Sequence, residues 1–195
     1  TQAWQILSER AKDIDIFIAV SKYFADEMAQ RLRIDKQKIH VVYAGLDTDK
    51  FIIETSSPAV PTIGFLSRMC FDKGLDILVD AFVLIKKNEN LKNAKLKIIG
   101  GKTKADIDFI DKIKNKLTTL NILKDVEFIT DFNAQIRLDF LGRISVMSVP
   151  EKKPVAYGLY ALESMACGVP VVQPATGVFN ELIELTGGGL LYQPN

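Results

Sequence analysis

A chain of 195 residues, 48% hydrophobic and 25% charged, has ordinary globular composition and room for one full domain plus part of another. Its 25 lysines and arginines against 24 acidic residues leave no field to draw a nucleic acid or an anionic membrane, and no apolar run approaches the roughly 20 residues of a membrane span. Cys70 and Cys167 fit no metal or CxxC spacing and no signal peptide opens the chain, so a soluble cytoplasmic protein is expected.

In chain order, Trp4, Leu7 and Ala11 stand at helical spacing. Ile14 to Val20 is a continuous apolar run and predicts a strand buried on both faces. Ser21 can cap a helix striped by Phe24, Met28 and Leu32, and Lys38 to Tyr43 reads as a second short strand. Two strands and one or two helices cannot enclose a core, so residues 1–50 are expected to be the tail of another domain. Residues 51–61, ending in the proline-punctuated Thr55 to Pro61, read as a linker.

From Thr62 the pattern becomes regular. Predicted strands Thr62–Ser67, Leu96–Ile99, Val126–Ile129, Ser145–Val149, Val169–Val172 and Leu190–Gln193 alternate with helices. The helices are expected over about Lys73–Lys87, Lys104–Leu120, Ala134–Phe140, Tyr157–Gly168 and Val178–Leu185. Ile107, Ile110, Ile113, Leu117 and Leu120 should form one buried stripe. This is the pattern of an α/β domain over 62–195, a doubly wound, Rossmann-like parallel sheet of six strands in the order 3-2-1-4-5-6. Its ligand crevice belongs above strands 1 and 4.

The loops at that crevice carry the chemistry. After strand 1, Arg68 and Lys73 flank a helix start, where a lysine opposes the macrodipole unless an anion sits there. The alternative is that Asp72 caps the helix and both cations are solvated. After strand 2, Gly100-Gly101-Lys102 allows close backbone approach or makes a tight turn. After strand 4, the helix carries Glu163 beside Leu159, on the stripe that should face the sheet. A buried carboxylate there needs donors, or else it lies at the helix edge and escapes to solvent. No GxGxxG follows strand 1 and no Walker A is present, which disfavours dinucleotide and P-loop chemistry. His40 is the single histidine and stands in a strand run, so it reads as structural.

Tyr157-Gly158-Leu159, Leu162 to Gly168 and Pro170-Val171-Val172 resemble the signature of family 4 (group 1) retaining glycosyltransferases of the GT-B fold. Residues 1–50 resemble the end of that family's acceptor domain, with Ala44 where an asparagine is usual, and Ser67 stands where a glycine precedes the arginine. The resemblance implies that Arg68, Lys73, Gly158 and Leu159 bind the donor's diphosphate and that Glu163 accepts from its ribose hydroxyls. It places Gly100 and Gly101 near the base and Val155 and Tyr157 near the donor sugar, where Glu151 from the Pro150–Pro154 loop is a further candidate contact. Asn180-Glu181 resembles a further family position. The family's first glutamate, eight residues before Glu163, is Val155 here. The substrate implied is a nucleoside-diphosphate sugar, with no cofactor and no metal, and the acceptor is a sugar, lipid or small molecule held by the preceding domain. Peripheral membrane association is open for the full-length protein. The other reading is a non-catalytic nucleotide-binding module descended from such an enzyme, for which Val155 is the main support.

Overall fold

The computed structural model describes residues 2–51 and 58–194, so positions 52–57 of the expected linker lie outside the described residues. The first part holds helix α1 (Gln2–Arg10), strand β1 (Phe17–Ala19), helix α2 (Lys22–Leu32) and strand β2 (Ile39–Val41). Ser21 caps α2 as its residue type suggests, its hydroxyl accepting from the Phe24 amide at 3.1 Å. β1 and β2 pair in parallel, and Ala11, Phe17 and Leu32 form a small core between them and the helices.

The apolar run through β1 is buried on one face, not two. Phe17 and Ala19 face inward, while Ile16 and Ile18 are 59% and 65% exposed. Strand residues alternate between faces, and the helical layer of α1 and α2 covers only one of them. Sequence periodicity reports that a strand is apolar but not how many layers surround it.

The second part is a six-stranded parallel sheet. Its strands are β3 (Thr62–Leu66), β4 (Lys95–Ile99), β5 (Val126–Ile129), β6 (Val146–Met147), β7 (Val171–Pro174) and β8 (Gly189–Tyr192). Their order is β5-β4-β3-β6-β7-β8, the doubly wound order expected. The connecting helices are α3 (Leu75–Ile85), α4 (Ile107–Thr119), α5 (Ala134–Leu141), α6 (Leu159–Ala166) and α7 (Phe179–Thr186). β3 is buried along its whole length, as a central strand covered on both sides must be.

Two cores lie on the two faces. Phe65, Leu75, Phe82, Leu96 and Ile113 pack under α3 and α4, and Leu66, Ile99, Met147, Ala161 and Phe179 pack under α5 to α7. Phe65 and Phe82 are fully buried, each contributing roughly 1.5–3 kcal/mol of transfer free energy. The α4 stripe is shorter than expected, since Ile107 and Leu120 are 43% and 45% exposed. Ile107 stands roughly 90° round the helix from the centre of the buried residues Ile110, Ile113 and Leu117. Leu120 is the C-cap, beyond the last helical turn. β7 starts two residues later than its apolar run and β8 one residue earlier. Among the described residues no helix is long and apolar enough to cross a membrane.

Candidate functional site

The carboxyl ends of the central strands open into a cavity of about 510 Å³. Arg68, Gly100, Gly101, Lys102, Leu159 and Glu163 line it, together with Phe132, Arg137 and Tyr160. Loops after three different strands therefore meet at the point where the strand order reverses. Gly100 makes this convergence possible. At φ 152° a Cβ there would lie 1.9 Å from the Ser67 carbonyl oxygen, so only glycine lets the two loops touch.

Arg68 extends from the loop after β3 with half its side chain exposed, and its Nε is 3.8 Å from Asp106. Asp106 is held by a capping box with Thr103, accepting from the Thr103 amide at 2.8 Å and its hydroxyl at 2.7 Å. Those bonds, and to a lesser degree Arg68, keep the Asp106 carboxyl below its ordinary value although burial opposes them. Arg68 is thus steered towards the cavity without being consumed by a close pair.

Glu163 is on the inward face of α6 and only 4% exposed, so it does not escape to solvent at the helix edge. Burial pushes its carboxyl above the ordinary range, and the nearby Arg137 guanidinium, 3.2 Å away, acts in the other direction. Cys167, one turn later on the same side, is pushed up to about 11 by burial and by the Glu163 charge. Gly158 caps α6 in the left-handed conformation; the Ala161 amide donates back to the Gly158 carbonyl at 2.9 Å, while the Leu159 and Tyr160 amides precede the first turn. The cavity thus brings a part-exposed guanidinium, Arg68, and a buried carboxylate, Glu163, into one lining.

Lys73 and Glu151 stand beside the cavity and not in its lining. The Lys73 ammonium donates to both Glu151 oxygens, and the Tyr160 hydroxyl donates to Oε1 at 3.0 Å. Burial, then the Glu151 charge, pushes the Tyr160 hydroxyl far above its ordinary pKa. The Pro150–Pro154 loop is strapped to the start of α3 by this pair, by Lys152 on Asp76 and by Lys153 on Asp72. Gly74 completes the strap, because a Cβ at its φ of 68° would lie 1.9 Å from the Pro150 carbonyl oxygen. Asp72 therefore pairs with the loop and does not cap α3, whose N-cap is Gly74. The loop holds Glu151 in place, not free to swing.

Val155 and Tyr157 lie elsewhere. The Val155 carbonyl accepts from the Val178 amide at 3.0 Å and its side chain packs on the core beneath α7. Tyr157 lines a separate cavity of about 200 Å³ with Val20, Tyr43, Leu162 and Glu181. Glu181 there accepts from the Lys22 and Tyr23 amides at 3.0 and 3.2 Å and from the Tyr43 hydroxyl at 2.5 Å. It joins the N-terminus of α2 to α7. Phe132, Arg137 and Tyr160 carry no signal in the sequence as cavity residues, whereas Lys102 stands in the Gly100-Gly101-Lys102 loop singled out there. Among the described residues no group of three or more His, Cys, Asp or Glu could hold a metal ion.

Residues 47–195 match the family profile described as glycosyl transferases group 1, and residues 2–50 match glycosyltransferase family 4. A D-inositol 3-phosphate glycosyltransferase of Mycobacteroides abscessus is 24% identical over 168 residues, 85% of this chain and 38% of that protein. An uncharacterized glycosyltransferase of Methanocaldococcus jannaschii is 28% identical over 182 residues, 93% of this chain and 46% of that protein. The chain thus spans less than half of these relatives. Among solved structures, Anabaena HepE in complex with UDP and glucose superposes with a TM-score of 0.84 at 20% identity, covering all of this chain and 54% of that one. The shared architecture is that of GT-B glycosyltransferases.

Proposed function

The chain belongs to the group 1 glycosyltransferases, and on that premise we propose that the cavity above β3, β4 and β6 receives the nucleoside diphosphate of a sugar donor. The observation that carries this reading is the pairing of opposite chemistries in one cavity. A part-exposed guanidinium, Arg68, and a buried carboxylate, Glu163, both line it. A nucleotide is a ligand that needs both, with phosphates for the cation and a ribose diol for the carboxylate. The loop of Gly100 and Gly101, which lines the same cavity, is where the base would lie, and Arg68 with the amides of α6 stabilises the departing diphosphate. Lys73 contributes by holding the loop that carries Glu151, its charge being matched by that carboxylate.

In this reading residues 62–195 are the donor half, 51–61 a linker and 1–50 the end of an acceptor-side domain. The full-length protein then transfers a sugar, with retention, to an acceptor held by that other domain, while residues 1–195 alone bind donor and transfer nothing. A second reading, a nucleotide-binding module without transfer activity, rests on Val155 in place of the family's first glutamate.

Calorimetric titration with UDP, GDP and ADP, alongside inorganic pyrophosphate, tests the proposal. UDP leads the panel because HepE was crystallised with it. At least one nucleoside diphosphate should bind more tightly than pyrophosphate, and Arg68→Ala should weaken it about ten- to a hundredfold. The proposal fails if none binds, or if Arg68→Ala and Glu163→Gln leave the affinity intact.

A further inference from the structure

Arg137 is the second guanidinium of the cavity and stands in no motif of the sequence. It is the fourth residue of α5, one turn before the fully buried Leu141, so it lies on the face turned to the sheet. Helix α5 does not need it, because Asn133 already caps the helix by accepting from the Ile136 amide at 3.0 Å. An arginine on an inward face, with a third of its side chain still accessible, needs a partner, and Glu163 Oε1 is 3.2 Å away. The remaining groups facing Glu163 across the cavity are Arg68 and Lys102, with Tyr160 and Cys167 on its own side.

We propose that Arg137 is the positioning residue of the ribose site, its guanidinium keeping the Glu163 carboxylate charged and turned into the cavity to accept from the sugar hydroxyls. This rests on the nucleotide reading above. The cavity offers the diol no other carboxylate among the residues that line it. A carboxyl that takes up a proton loses acceptor capacity and becomes a competing donor, so the site works only while Glu163 is ionised. Burial favours the proton and Arg137 opposes it. Removing the guanidinium therefore moves the carboxyl further up, and ribose recognition then fails at pH values where the wild type still works.

The test uses the whole chain with Arg137→Gln and Arg137→Lys. The tightest-binding nucleoside diphosphate of the panel and inorganic pyrophosphate are titrated from about pH 6.5 to about pH 9. Wild type and variants share each ligand, so the ligand's own phosphate ionisation cancels. Arg137→Gln should weaken the nucleotide about tenfold at the acid end and recover towards wild type at the alkaline end. Pyrophosphate should bind the variant as it binds wild type, and Arg137→Lys should restore most of the nucleotide affinity. In a Glu163→Gln background, Arg137→Gln should have no further effect. Equal, pH-independent losses for nucleotide and pyrophosphate would make Arg137 a plain phosphate cation and overturn the proposal, as would no loss at all. If wild type binds pyrophosphate but no nucleoside diphosphate, the nucleotide reading itself is wrong and this inference falls with it.

Discussion

The Lys73 ammonium sits 2.7 Å from Oε1 and 3.0 Å from Oε2 of Glu151, whose side chain is 3% exposed. A lysine beside the cavity is thereby engaged by a carboxylate of the same chain. Removing it leaves Glu151 buried with, among the described residues, only the Tyr160 hydroxyl as side-chain donor. Lys73→Ala should cost about 1–3 kcal/mol of stability in urea denaturation, below the figure for a fully enclosed pair because Lys73 is part exposed. Lys73→Met with Glu151→Leu should recover much of that. The loss in nucleotide affinity should be smaller than for Arg68→Ala. An unchanged urea midpoint with affinity lost as at Arg68 would make Lys73 a direct phosphate ligand instead.

Glu163 is held against its preference. Its carboxyl is raised in the folded chain by burial, with Arg137 offsetting part of this. An acid raised on folding binds more protons folded than unfolded, so stability declines as pH climbs from the ordinary glutamate value through the folded one. Glu163→Gln should therefore melt higher than wild type at neutral pH, on the order of 2–4 °C for each kcal/mol relieved. The gap should close as pH falls below the ordinary glutamate range. The same variant should bind nucleotide worse, so the site trades stability for recognition. Wild type melting above Glu163→Gln at neutral pH would show that the pair with Arg137 more than offsets the burial.

Glu181 behaves in the opposite sense. Burial works against its ionisation, but the Tyr43 hydroxyl and the Lys22 and Tyr23 amides outweigh it and hold the carboxyl below the ordinary value. A depressed acid contributes stability above its unfolded pKa and loses it as pH falls through the folded one. The contact of α2 with α7 should accordingly persist at neutral pH and loosen only in acid below the ordinary glutamate range. Hydrogen exchange of the Lys22 and Tyr23 amides follows this directly. In Glu181→Ala, protection of both should drop at neutral pH, while the amides of β3 and β4 stay slow. Unchanged protection would mean that Ser21, bonded to the Ala156 carbonyl at 2.9 Å, holds the contact alone.

The sheet order and the position of the cavity were legible because they depend on coarse signals. Apolar runs of strand length alternate with helical stripes, and right-handed crossovers leave few ways to arrange them. Arg68, Gly100 and Glu163 followed, since each lies beside a predicted strand end or on a predicted inward face. Arg137 did not, because an arginine inside a short helix looks the same in sequence whether it is solvated or turned to a buried carboxylate. Phe132 is hidden likewise, in a loop whose course only the fold decides. Val155 and Tyr157 are the converse case, since neither lines the cavity that holds Arg68 and Glu163. The left-handed turn at Gly158 sends the chain into α6, and the residues before it pack towards α7 and Tyr43, away from the cavity. Lys73 and Glu151 are far apart in sequence, and no pattern of spacing announces a pair joined only by folding.

Val155 stands where the family it resembles carries its first glutamate, and its surroundings say what a glutamate there would do. Its carbonyl is fixed by the Val178 amide, and a Cβ on Gly177 would lie 2.7 Å from both the nitrogen and the oxygen of Val155, so this backbone has no slack. The side chain rests on the core beneath α7. A glutamate put there would have to bury part of its charge against apolar neighbours or pull the loop off Gly177. Val155→Glu should thus cost about 1–3 kcal/mol in stability, the penalty for a buried polar group without a partner. It should not improve binding of a nucleotide sugar relative to the bare nucleotide. The comparison is UDP-glucose against UDP, titrated on both proteins. On the donor-binding proposal, the wild type should bind the sugar nucleotide at least as tightly as UDP without a carboxylate at position 155. If wild type binds UDP-glucose more weakly than UDP and Val155→Glu removes the difference, the valine marks a site that has lost its sugar, and the non-catalytic reading becomes the better one.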